Sequence, residues 1–162
     1  MAVGFDAMTA LVLSADSQLE LSGLVHRYAG YVDARRFDEV AELFTADAEL
    51  ILPKPPEHLE PCVRHNGHAG VVAALSALST VARTQHGIVG EFYTGSPTAE
   101  VASGAITGVA HHWIAHDGQI TDHVWYLRYS DIYRRGQQGW RIAVRTLSID
   151  AIETRPARQV RP

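Results

Sequence analysis

The sequence predicts an α+β fold in which three N-terminal helices pack on a curved, mostly antiparallel sheet. Two observations carry this. Before residue 80 the apolar residues recur at helical spacing, whereas from Val81 onward β-branched and aromatic residues dominate four segments cut by turn residues. Helices first and strands afterwards give a sheet that closes over a helical layer, and the concave side of such a sheet is a natural pocket.

The first helix is expected to begin at Ser17-Gln18-Leu19-Glu20, which has the form of a capping box. Leu21, Leu24, Val25, Tyr28 and Val32 follow as its apolar stripe, with Asp33 on the flank. Phe37, Val40, Ala41 and Phe44 repeat the pattern in a second, shorter helix, and Ala48 to Leu52 reads as a strand. Pro53, Pro55, Pro56 and Pro61 predict a loop able to cover a pocket, since proline lacks the amide donor and restricts its predecessor. Asn66 and Gly67 introduce a third helix with Val71, Val72, Leu75 and Leu78 on one face. Strands are expected around 82–94, 98–115, 119–134 and 139–151, with hairpin turns at Gly95-Ser96-Pro97, Asp117-Gly118 and Gly136 to Gly139. In the second of these strands Val101, Ser103, Ala105, Thr107, Val109 and His111 share one face, whose small residues leave space inside.

A chain of 162 residues with 46% hydrophobic and 20% charged residues is one ordinary globular domain. We read 1–16 as an N-terminal arm, 17–151 as the domain and 152–162 as a basic C-terminal tail. The net charge of −4, with basic residues gathered only near the C-terminus, argues against a nucleic-acid partner. The apolar run Ala7 to Leu13 is too short to span a bilayer and no Lys or Arg precedes it, so neither a signal peptide nor a membrane partner is expected. The single cysteine, Cys62, cannot form an intramolecular disulfide, which fits a reducing compartment and a cytoplasmic location.

The residue that draws attention is His86, in an apolar strand and flanked by small residues that leave room beside it. An imidazole so placed can serve as a general base near neutral pH, the alternative being a core histidine satisfied by structural partners. Asp33 can supply the carboxylate that fixes its tautomer and stabilises its protonated form, although on spacing alone it reads equally as a surface residue ending a helix. Nine histidines also raise a metal site, around His111, His112, His116 and His123. His111 and His112 alternate across a strand, however, and no compact set of three ligands is spaced for a metal, so none is expected.

Tyr28 and Asp33 near the end of the first helix, Phe44-Thr45-Ala46-Asp47-Ala48 after the second, Arg83-Thr84-Gln85-His86 opening a strand and Gly139-Trp140-Arg141-Ile142 in the last carry a family resemblance. Over about residues 17–150 the chain looks like a SnoaL-like member of the nuclear transport factor 2-like superfamily. It resembles most the branch with scytalone dehydratase, bile-acid 7α-dehydratase and hexachlorocyclohexane dehydrochlorinase. That resemblance implies a cone-shaped α+β barrel, an Asp-His pair in a hydrophobic pocket, and no cofactor. Asp33 and His86 match the pair, Tyr28 and Arg145 fall where the bile-acid enzyme keeps functional residues, and His111 matches the second pocket histidine of scytalone dehydratase. The departures are Val at position 32 and no tyrosine in 48–52, so the scytalone substrate is not implied. The bile-acid enzyme's pocket aspartate is also missing, His111 and His112 standing at the candidate positions, and the Arg and Asp network of limonene epoxide hydrolase is not reproduced.

The expected function is a cofactor-independent lyase of the dehydratase type, with a small hydrophobic cyclic molecule as its partner. An isomerase like ketosteroid isomerase or a polyketide cyclase would use the same base and pocket. A noncatalytic binding module and a purely structural dimer are the readings from other classes. A homo-oligomer, dimer or trimer, is expected from the resemblance alone.

Overall fold

The computed structural model describes residues 12–161. Most of the expected N-terminal arm lies outside the described residues. Helix α1 runs from Ala15 to Asp33, three residues earlier than the capping-box reading, because Ser14 rather than Ser17 is its N-cap. The Ser14 hydroxyl oxygen accepts the Ser17 amide at 3.2 Å, while Ser17 itself is buried inside the first turn. The stripe from Leu21 to Val32 is buried as its spacing requires. Helix α2, Phe37–Ala41, is shorter than expected, since Phe44 already opens strand β1, Phe44–Lys54.

The proline-rich stretch is not a free loop. It forms the end of β1, the turn and the first half of strand β2, His58–Asn66, which pairs antiparallel with β1. Pro61 is tolerated because β2 is an edge strand and its register is irregular between Lys54 and Leu52 of its partner, so no ladder donor is missed. Gly67 opens α3, Gly67–Ser76, with φ +63, and a Cβ there would come within 3.0 Å of the Ala46 carbonyl oxygen. A 3₁₀ turn, Ala77–Thr80, follows.

The remaining strands are β3, Arg83–Thr94, β4, Val101–His116, β5, Gln119–Gly136, and β6, Gly139–Ala157. The β4–β5 turn places Asp117 at φ 48 and Gly118 at φ 75, the two left-handed residues of a type I′ hairpin. Strand β6 continues six residues into the expected basic tail and pairs there with β5, for example Thr154 with His123. The sheet order is β2-β1-β6-β5-β4-β3, with only β1 and β6 parallel. It does not close on itself, so in place of the barrel implied by the resemblance the helices lie on an open, curved sheet whose edges are β2 and β3.

The core lies between that sheet and the helices. The register of β4 with β5 decides which side of β4 faces it. Ala102, Ile106 and Ala110 pair with Tyr133, Tyr129 and Trp125, and with Gly104 and Gly108 between them they form the inner face. Gly104 is required there, since a Cβ would lie 2.8 Å from the Tyr133 ring. The inner face is therefore the opposite of the one expected. Both faces of β4 carry small residues, and parity alone cannot choose between them.

Candidate active site

The end of α1 and the start of β3 bring Asp33 and His86 together. The His86 Nδ1 lies 2.7 Å from Asp33 Oδ1, and the His86 amide donates to Oδ2 at 2.8 Å. The Thr84 hydroxyl donates to Oδ1 at 2.9 Å. A carboxylate at the last residue of a helix meets the unfavourable end of the helix dipole. Burial also pushes the Asp33 carboxyl up, but the ring of His86 by hydrogen bond and charge, then the His86 amide and the Thr84 hydroxyl, outweigh it and hold the group below its ordinary range. An ionised Asp33 fixes the proton of His86 on Nδ1 and leaves Nε2 as the unshared nitrogen.

His86 lines a cavity of about 190 Å³ between the helices and the sheet. Its wall is apolar, from Val32, Leu75, Leu78, Leu127 and Leu147, with Trp125 beneath. Its polar groups are His86, His112, Tyr28 and Tyr129. His112 is buried, its ring stands edge-on 6.0 Å from that of His86, and Nδ1 lies 3.1 Å from the His123 carbonyl oxygen. A carbonyl can only accept, so Nδ1 carries the proton and Nε2 is again an acceptor. Burial pushes the His112 imidazole down to about 4, despite that carbonyl.

His111, by contrast, does not reach the cavity. On the other face of β4 it lies 2.7 Å from Asp122 Oδ2 and stacks on Trp113 at 5.2 Å between ring centres. The resemblance pointed to His111 because sequence position cannot resolve neighbouring residues on a strand; the β4 register selects His112.

Tyr28 lines the cavity, and its burial, partly offset by Arg145, raises the pKa of its hydroxyl and keeps it protonated. Arg145 is fully buried behind that wall. Its guanidinium sits 4.2 Å from the ring centre of Tyr28 and 4.3 Å from that of Tyr129, and it pairs with Asp131 through contacts of 2.9 and 2.6 Å. The Tyr133 hydroxyl donates to the same carboxylate at 2.6 Å. Arg145 thus holds two tyrosine rings in place without lining the cavity itself.

Tyr129, Asp131, Arg35 and His112 are the neighbours that sequence reasoning missed or set aside. One signal was available: Trp125, Leu127, Tyr129, Asp131 and Tyr133 alternate at period two, and a carboxylate on an aromatic strand face implies a buried cation opposite. Among the described residues no three His, Cys, Asp or Glu side chains gather as a metal site, and no helix is long and apolar enough to cross a membrane.

The comparisons agree with this fold. The model of the SnoaL-like domain matches residues 14–146. None of the curated proteins matches the chain. Among solved structures, a protein from Novosphingobium aromaticivorans described as an aromatic ring hydroxylase is 21% identical, with 89% of this chain and 95% of that one covered and a TM-score of 0.72. A protein from the same organism described as a scytalone dehydratase is 18% identical over 92% and 97%, with a TM-score of 0.71. A type 3 hexachlorocyclohexane dehydrochlorinase from Novosphingobium barchaimii is 13% identical over 91% and 95%, also at 0.71. At these identities the likeness is one of fold. With the domain model matching most of its length, the chain belongs to the SnoaL-like family.

Proposed function

We propose that this protein is a cofactor-independent lyase of the dehydratase type, in which the Asp33–His86 pair is the acid and base and the substrate is a small cyclic hydroxy ketone. The observation that carries the reading is the 2.7 Å contact between the two side chains at the wall of an apolar cavity. An apolar cavity of roughly 150 Å³ takes a benzene, and drug-sized ligands need about 300–1,000 Å³. A volume of about 190 Å³ therefore suits one substituted ring better than a steroid.

His86 Nε2 removes a proton from the carbon beside the ketone, and the ionised Asp33 stabilises the imidazolium that forms. The Tyr28 and Tyr129 hydroxyls, held protonated by burial, donate to the carbonyl oxygen as negative charge develops there. His112 presents only an acceptor, so it orients the substrate hydroxyl and has no proton to give it. The proton that leaves with the hydroxyl as water comes from His86 itself. One C–H and one C–O bond break, the C=C bond forms, and both events take place on one face of the ring. Self-association through the sheet face opposite the cavity is supported by exposed Phe92, Val101 and Ile132.

The test uses 3-hydroxycyclohexanone in deuterated buffer, following cyclohex-2-enone formation and exchange of the protons beside the carbonyl by NMR. Wild type is expected to catalyse both. His86→Ala loses on the order of 10²–10⁴ of the rate, the usual contribution of one positioned acid–base group. Undiminished turnover in His86→Ala would remove the reading.

A further inference from the structure

We propose that Arg35 and Thr84 are positioning residues, a relay that strengthens the hydrogen bond from Thr84 to Asp33 and holds the carboxylate in place against the His86 ring. The inference rests on the acid–base reading of Asp33 and His86, but its geometry is separate from it, because neither residue lines the cavity.

The argument follows from what each group can donate. Arg35 Nη1 lies 2.7 Å from the Thr84 hydroxyl oxygen, and a guanidinium only donates. Thr84 is therefore the acceptor in that contact, and its single hydroxyl proton is released toward Asp33 Oδ1 at 2.9 Å. The guanidinium, bonded to the hydroxyl oxygen, polarises the O–H and strengthens its bond to the carboxylate. Asp33 thus receives three donors, from Thr84, the His86 ring and the His86 amide, and its plane is fixed. Thr84 is buried, so water does not take over either contact.

Arg35 is itself anchored from both sides. Nη1 also donates to the Val32 carbonyl at the end of α1, and Nη2 donates to the Val81 carbonyl before β3, each at 3.2 Å. The side chain thus ties the helix that carries Asp33 to the strand that carries His86. Its backbone stands at φ 59, just past a helix end, where glycine is the residue that fits without strain. An arginine at that conformation is explained by what its side chain does. The charged and titratable groups around the pair are Arg35 itself, Arg83 on β3, His112 on β4 and Tyr129 on β5.

This gives a substitution that separates a helix stop from a relay. Arg35→Gly suits the backbone and removes the guanidinium. If Arg35 only terminates α1, the variant keeps the thermal stability, the His86 Nδ1–H proton NMR signal and the pH–rate profile of wild type, and the proposal is overturned. The relay predicts that the signal broadens and moves upfield, and that exchange of the 3-hydroxycyclohexanone protons slows about tenfold. The acidic limb, which reports protonation of the Asp33–His86 pair, moves to higher pH because the carboxylate has lost the nearby guanidinium charge and keeps a weaker bond from Thr84. Should Arg35→Gly fail to fold, the Thr84 pair decides. Thr84→Val reproduces these changes and Thr84→Ser restores the wild-type signal if the relay exists, whereas wild-type behaviour in Thr84→Val sinks it. The ligand-free NMR signal keeps the two readings apart, since a shifted Nδ1–H together with a fully active His86→Ala would leave the relay standing and remove the lyase.

Discussion

At the scale of single residues the most informative side chain is His112, which the fold buries as a neutral imidazole. Its pKa falls from 6.5 in the unfolded chain to about 4 in the folded one, so between those values the unfolded chain binds the extra proton. Stability from this group is present above pH 6.5 and is lost as the pH falls toward 4. At 1.36 kcal/mol per pH unit the full loss is roughly 3 kcal/mol. Urea unfolding at pH 7 and pH 4.5 is expected to show most of that loss in wild type and little of it in His112→Phe. Asp33 does not confuse the measurement. Its carboxyl is held low, so its contribution disappears only below about pH 4, where an ordinary aspartate protonates. Equal losses in the two proteins would mean that His112 is solvated and lies outside the cavity wall.

At the scale of elements, β5 and β6 are joined through the core by the Asp131–Arg145 pair, both side chains being 0% exposed. Such a pair adds little over an apolar pair of the same volume, because burial costs each ion its hydration, but removing one partner strands a charge. Asp131→Asn is expected to cost about 3–5 kcal/mol in urea unfolding, and the double variant Asp131→Leu with Arg145→Met less than that single change. A single change costing no more than the double would show that water already reaches the guanidinium. The same elements explain where sequence reading of the fold stops. Strand β2 was hidden because proline chemistry forbids a central strand, while an edge strand accepts it. The end of β6 was hidden because Arg155 and its neighbours read as a solvated tail, although their backbones complete the ladder to β5.

At the scale of the molecule, helices and sheet together enclose a space that neither would leave alone. Ala74 on α3 lines it, and the small side chain is part of what keeps it open. Cyclohex-2-enone at a hundred times its Kd should stabilise the folded state by about 2.7 kcal/mol and raise Tm accordingly. Ala74→Leu is expected to fold and to abolish that rise. A ligand-induced Tm shift that survives the substitution would place binding elsewhere on the surface.

The sequence by itself determined the order of helices and strands, since apolar spacing of 3.6 and 2 residues and the turn residues Asp117 and Gly118 are local properties. It also brought out His86, Asp33 and Tyr28, whose residue types and order carry the family resemblance. Tertiary structure alone decided that Asp33 and His86 touch, that His112 and not His111 faces the cavity, and that Arg145 stands behind two tyrosines. The reason is physical. A strand's inward face is set by its register with neighbours that lie far away in sequence, and a one-residue shift exchanges the two faces. The left-handed turn at Arg35 and its contact with Thr84, 49 residues on, are of the same kind: no local pattern writes them, and only the packed fold brings them together.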